Sequence, residues 1–136
     1  MATASRTTLA ARNNEALVEK YRQQLSAWPH SWEIDPRDQA IGQAIVEAFM
    51  PFLISKIQQG RAKGTLNRYT RYLWVLGGEL IRQVNDHEPD RQLSANALIL
   101  DAISPDGGPY WHGAFDENEH DQFDSVCRML YKFMNT

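Results

Sequence analysis

The stretch KGTLNRYTRYLWVLGGELIRQVND, residues 63–86, decides how this chain reads. Leu66, Tyr69, Leu73, Leu76 and Leu80 recur at three- and four-residue steps, which gathers them on one side of a helix and makes that side the core. Arg68, Arg71 and Arg82 fall on the opposite side, with Tyr72 and Glu79 at one flank and Trp74 at the other. Thr65, just before the first periodic apolar residue, reads as the N-cap whose hydroxyl accepts from an orphan N–H of the first turn. Gly77 and Gly78 each cost about 1 kcal/mol against Ala inside a helix. Their presence points to close packing at that place.

The remaining segments continue the helical pattern. The start, MATASRTT, is small and polar, and residues 1–12 are expected to be flexible ahead of one domain spanning 13–136. Leu17, Tyr21, Leu25 and Trp28 form the stripe of a first helix that stops before Pro29, followed by the loop PHSWEIDPRD. Asp35 and Pro36 then open a second helix reaching about Gln59, with Ile41, Ile45, Phe49, Phe52, Leu53 and Ile57 inward and a kink or break at Pro51. Gly60 and Gly64 bracket a basic turn, GRAKG, that leads into the central helix.

After a polar connection, Ser94 caps a short helix with Leu98, Ile99 and Ile103 buried. The segment SPDGGPYWHGAFDE is irregular and aromatic, and a last helix runs from about Glu119 to Met134 with Phe123, Val126, Cys127, Leu130, Tyr131 and Met134 inward. Nothing alternates at a period of two over a useful length, so the fold class is all-α, a single bundle of about five helices.

Charge is uneven along the chain. The net value is −3, yet no acid stands between Glu47 and Glu79, whereas Lys56, Arg61, Lys63, Arg68 and Arg71 do. Asp116, Glu117, Glu119, Asp121 and Asp124 crowd the approach to the last helix. A polyanion would therefore have to meet the middle of the chain. Lys and Arg on a turn and one helix face can replace counterions along a phosphate backbone, and Thr65, Asn67 and Thr70 add neutral donors beside them. The same cations are equally read as a solvated helix face.

Other chemistries find less support. The single cysteine, Cys127, excludes an internal disulfide and a thiolate zinc cluster, and it reads as core rather than nucleophile. His120 and Asp124, with Glu117 a turn earlier, have a spacing that can hold a divalent metal, but acids in a first helical turn are stabilised by the helix dipole without one. His112 stands beside Tyr110 and Trp111, where an aromatic cluster plugging the end of the bundle accounts for it. No nucleophile elbow, phosphate loop or paired metal motif occurs, so no enzyme and no cofactor is expected. No apolar run long enough for a membrane span and no secretory signal are read, which makes the cytoplasm the expected location.

The pattern PFLISKIQQGRAKGTLNRYTRYLWVL, residues 51–76, resembles the N-terminal core-binding (SAM-like) domain of tyrosine recombinases, the phage integrase family. In that family a basic turn leads to a Ser- or Thr-capped helix whose Tyr precedes a Leu-rich stretch. Gly60 to Gly64, Thr65, Tyr69 or Tyr72, and Leu73 stand at those places. The resemblance implies a small helical bundle closing over duplex DNA, with backbone contacts from Lys56, Arg61, Lys63, Arg68 and Arg71, beside which Thr65 and Asn67 stand as the neutral donors already noted. The chain has no counterpart of the family's catalytic domain, so recombinase activity is not implied. The alternative is a helical interaction or regulatory subunit with no nucleic-acid binding, which would dock a protein partner or a second copy through its first helix or through Tyr110, Trp111 and Phe115.

Overall fold

The computed structural model describes residues 2–136, with side chains from residue 9 onward. Of the start expected to be flexible, residues 1–12, only Met1 lies outside the described residues, and the backbone from Ala2 onward is helical. The order is α1 (Ala2–Leu25), a five-residue turn of helix α2 (Trp28–Trp32), α3 (Asp38–Gln58), α4 (Lys63–Asp86), a 3₁₀ turn (Glu88–Gln92), α5 (Ala95–Ala102) and α6 (Glu117–Met134). The protein is an all-helical bundle, and its only extended pairing among the described residues is an isolated bridge between Ser104 and Gly107.

The apolar periodicity of residues 63–86 becomes α4, where Leu66, Tyr69, Leu73, Leu76 and Leu80 are all buried. Packed on them are Ile45, Phe49, Phe52, Leu53 and Ile57 of α3 and Phe123, Val126, Cys127 and Leu130 of α6. Tyr21, Leu25 and Trp28 are buried on the same core, so the first helix covers its stripe on its own bundle. By length and composition α3 could also cross a bilayer, contrary to the reading that no apolar run is long enough. In the bundle that apolar surface forms much of the core.

Several boundaries differ from the sequence reading, each for a local reason. Thr65 is not the N-cap: α4 begins at Lys63 with Ala62 in the cap position and no side-chain cap. Thr65 therefore stands in the first turn. The turn before it is set by Gly60, whose φ of +76° ends α3 in the left-handed region that favours glycine. There Arg61 N–H reaches Lys56 C=O at 3.3 Å and Gly60 N–H reaches Ile57 C=O at 3.0 Å.

Pro51 does not break α3, which is one helix of 21 residues. A helical proline costs about 3 kcal/mol. Burial of Phe49, Met50, Phe52 and Leu53 around it, at about 1.5–3 kcal/mol each, outweighs that cost. Likewise Asp35 and Pro36 do not open α3, which starts at Asp38. The first helix does stop before Pro29, at Leu25, but Pro29 then sits at the start of α2, in what was read as loop, where its missing N–H has no partner to lose. Tyr72, placed at a basic flank by periodicity, is buried, since Trp111 and Phe123 meet its ring at 5.9 and 6.4 Å. The segment after Ile103 and α6 cover that flank. Ser94 caps α5 as expected, accepting from Ala97 N–H at 3.1 Å.

One buried carboxylate joins four parts of the chain. Asp38 is fully buried, and its Oδ2 accepts from the N–H groups of Ile34 and Asp35 at 3.0 and 2.8 Å and from Asn85 Nδ2 at 3.0 Å. Its Oδ1 accepts from Arg91 Nη1 at 2.8 Å, and the Arg91 side chain is itself only 6 % exposed. Arg91 also donates to Asn85 Oδ1 and Glu88 Oε2, both at 2.9 Å, and Glu88 receives Arg37 at 3.0 Å. Burial pushes the Asp38 pKa up, but the bonds from Asp35, Asn85, Ile34 and Arg91 outweigh it and hold the carboxyl below its ordinary value.

The pair at Gly77 and Gly78 is the second joint. A Cβ on Gly77 would lie 2.2 Å from Trp32 Cζ2, whereas one on Gly78 would lie 3.5 Å from Trp32 Cδ1, an ordinary contact. The close packing expected at these glycines is thus with the indole of α2. Trp32 Nε1 also donates to the carbonyl of Trp74 at 3.0 Å, which fixes the ring against α4.

Two stability experiments follow from these joints. Gly77→Ala should lower the unfolding midpoint markedly, by steric conflict with Trp32, whereas Gly78→Ala should be neutral or stabilise by up to about 1 kcal/mol through helix propensity. Equal effects of the two in urea titrations would contradict the packing described. Asp38→Ala should destabilise by about 3–5 kcal/mol, because it leaves a buried guanidinium with Glu88 as its one carboxylate partner and strips the Ile34 and Asp35 N–H groups of their acceptor. The depressed pKa of Asp38 means its contribution is present above the unfolded value of 3.8 and is lost as pH falls through the lower folded value, so acid should weaken the wild type more steeply than Asp38→Ala.

Candidate nucleic-acid interface

The cations singled out in the sequence are placed by the end of α3, the turn at Gly60 and the first turns of α4. Arg61, Lys63 and Arg68 are exposed, and Lys56 is half-buried with its ammonium 5.4 Å from the Phe52 ring centroid. Among the described residues none of these four forms an ion pair, whereas Arg22, Arg37, Arg71, Arg82 and Arg91 do. The separation follows from the sequence, since no acid lies within reach along α3 or α4 here.

Burial of the Lys56 ammonium, followed by repulsion from Arg61 and from Lys132, holds its pKa below the ordinary lysine value. Lys132, near the end of α6, is a member of this cluster that sequence reasoning missed. It becomes a neighbour only because the end of α6 packs over α3, with Phe133 on Phe52 at a centroid distance of 5.7 Å. Periodicity within one helix carries no signal of that kind.

The other residues read as DNA-facing separate from the cluster to different degrees. Arg71 is engaged by Glu119 from the first turn of α6, a charge-assisted bond that removes it from the free cations. The Glu119 backbone N–H is itself held by Asp116 Oδ1 at 2.9 Å, the N-cap of α6. Asn67 is exposed, and its Oδ1 accepts from Tyr21 OH at 2.9 Å, which leaves its amide nitrogen as the group able to donate outward. Thr65 is partly buried in the first turn of α4. Thr70 is buried, and its hydroxyl donates back to the Asn67 carbonyl at 2.9 Å, so it is not a surface donor.

The histidines and the cysteine are engaged elsewhere. His120 Nδ1 lies 3.2 Å from Asp124 Oδ2, while Asp124 Oδ1 accepts from Gly108 N–H at 3.0 Å, so the pair fastens the segment after Ile103 to α6. Among the described residues no group of three or more His, Cys, Asp or Glu side chains is arranged to hold a metal ion. His112 contacts Glu79 at 3.2 Å, and Cys127 is buried, with burial and then the Asp124 charge pushing its thiol pKa far up. Trp111 packs on Tyr72 and Phe123, closing that end of the core, while Tyr110 and Phe115 remain 69 % and 89 % exposed.

The Arg71–Glu119 contact is an exposed pair and should contribute little to stability. A double-mutant cycle through Arg71→Gln and Glu119→Gln is expected to give a coupling of at most about 1 kcal/mol that shrinks with added salt. A larger, salt-insensitive coupling would mean that the pair is part of the fold rather than of the surface. No protein-family model, curated protein or solved structure matches this chain.

Proposed function

We propose that this protein is a non-catalytic DNA-binding module that holds the duplex backbone against the α3–α4 turn, in the manner of a tyrosine recombinase core-binding (SAM-like) domain, and acts in the cytoplasm. The observation that supports this reading is the cluster of unpaired cations at the turn, Lys56, Arg61, Lys63 and Arg68, with Lys132 joining it from α6. Burial first, and then repulsion from Arg61 and Lys132, lowers the Lys56 pKa. This group of cations, with no ion-paired acid on Lys56, Arg61, Lys63 or Arg68 among the described residues, creates a local positive potential despite a net charge of −3. A phosphate backbone relieves that repulsion by replacing its own counterions with these side chains. Asn67 and Thr65 lie on the adjoining turns of α4, where neutral donors help position phosphates without reading bases. Arg71, held by Glu119, stands in reserve.

A second reading, a helical interaction subunit that binds no nucleic acid, draws on the exposure of Tyr110, Phe115 and Ile34, which is 65 % for the last. Large exposed apolar side chains of this kind suit a protein partner or a second copy.

Fluorescence anisotropy with random-sequence duplex at several salt concentrations separates the two. Five phosphate contacts should give a slope of log affinity against log salt of about −4 to −5. Arg61→Gln, Lys63→Gln and Arg68→Gln should each flatten it by about one unit with the fold intact, whatever the DNA sequence. Glu119→Gln, by releasing Arg71, should steepen it by up to about one unit. Absence of duplex binding at low salt defeats the DNA reading, and a dimer lost on Phe115→Ser in sedimentation would then favour the interaction subunit.

A further inference from the structure

A groove of about 520 Å³ opens between α2, the second half of α4 and the segment around Gly113, on a different stretch of α4 from the cation cluster. Its volume suits a small ligand. Three indoles line it, Trp32, Trp74 and Trp111, and Glu79 is the one acid among the lining residues. Gly78 lies between them on α4, and its lack of a side chain leaves the floor low.

The walls are mostly aromatic, with Glu79 and Arg82 as their charged members. Trp32 Nε1 is used on the Trp74 carbonyl and Trp74 Nε1 on Ser31 Oγ, each at 3.0 Å, so these two indoles have no N–H left for a ligand and contribute π surface. The face of an indole is the negative pole of its quadrupole, and it attracts a cation better than any other side-chain ring. Glu79 adds a full negative charge on a side chain only 10 % exposed.

That carboxylate is loosely held. Arg82 Nε stands 3.4 Å from it, His112 Nδ1 3.2 Å and His112 N–H 3.4 Å, all longer than the ~2.7–2.9 Å of a well-made charge-assisted bond. Both partner side chains are more than half exposed, at 52 % and 54 %, and can leave for solvent. An anion would meet indole surface and a carboxylate. A cation with an apolar surface would match both.

We propose that this groove is a binding site for an alkylated ammonium group, seated on Trp74 and its neighbouring indoles with Glu79 as counter-charge. Binding does not depend on the DNA reading, since it uses none of the same residues. The two sources of such a group are a free small molecule and a methylated lysine on a peptide.

The test titrates the full chain, by calorimetry and tryptophan fluorescence, with choline, with its neutral carbon isostere 3,3-dimethylbutan-1-ol, and with a short peptide bearing trimethyllysine. Choline or the peptide should saturate, and the tighter of the two identifies the source. The neutral isostere should bind at least about tenfold more weakly than choline wherever choline saturates. Glu79→Gln and Trp74→Leu should each weaken the ammonium ligand by about tenfold, and Arg82→Gln, which frees the carboxylate, should tighten it. Trp74→Leu keeps the test decisive if Glu79→Gln fails to fold, because Trp74 is a surface side chain, 43 % exposed. Equal binding of the isostere and choline would reduce the groove to an apolar cleft and overturn the proposal. So would the lack of saturation with either ammonium ligand at millimolar concentration.

Discussion

The buried carboxylate of Asp38 is the constraint on which the arrangement of this bundle depends. A charge taken out of water must be compensated by nearly ideal partners or it neutralises, and here the partners come from the chain before α3, from the end of α4 and from the 3₁₀ turn. Neither the chain just before α3 nor the 3₁₀ turn, which buries no residue, is apolar enough to find its place by burial alone. The polar connection after α4 is therefore held by geometry and charge, with Arg91 bridging Asp38, Asn85 and Glu88. Such a network adds less to net stability than its bonds suggest, because desolvation opposes it, but it specifies where the elements meet.

Trp32 does for one face of α4 what Asp38 does for its end. Its indole lies against Gly77, is anchored through Nε1 on the Trp74 carbonyl, and forms a wall of the neighbouring groove. Trp28 stacks near it at 5.7 Å, so the short α2 is a packing device that covers α4 with aromatic area. The helical cost of two glycines is offset by the close approach that one of them permits. The open space above the other becomes part of the groove.

Electrostatics divides the surface in a way that packing then sharpens. The acid-free run between Glu47 and Glu79 leaves the turn between α3 and α4 cationic, and the end of α6 adds Lys132 to it. The start of α6 is acidic, and there Glu119 reaches across to Arg71. One helix thus presents opposite characters at its two ends, complementing the basic turn at one and quenching a basic residue at the other. Two surfaces of different composition result, one cationic at the turn between α3 and α4 and one, around Glu79 and the indoles, largely aromatic.

The sequence by itself determined the helical class, the inward faces of α1, α3, α4 and α6, the cap at Ser94 and the unpaired cations of the turn. These follow from periodicity, capping chemistry and charge along one segment, all of which are local. Tertiary structure alone decided that Pro51 stays within a continuous helix, that Tyr72 is core, that Arg71 is paired, and that Lys132 joins the basic cluster. It also decided the Asp38–Arg91 pair and the tryptophan groove, whose members come from segments more than thirty residues apart. The physical reason is the same in each case: burial and charge pairing act between side chains that only packing brings within a few ångströms, and a pattern read along one helix contains no distance to another.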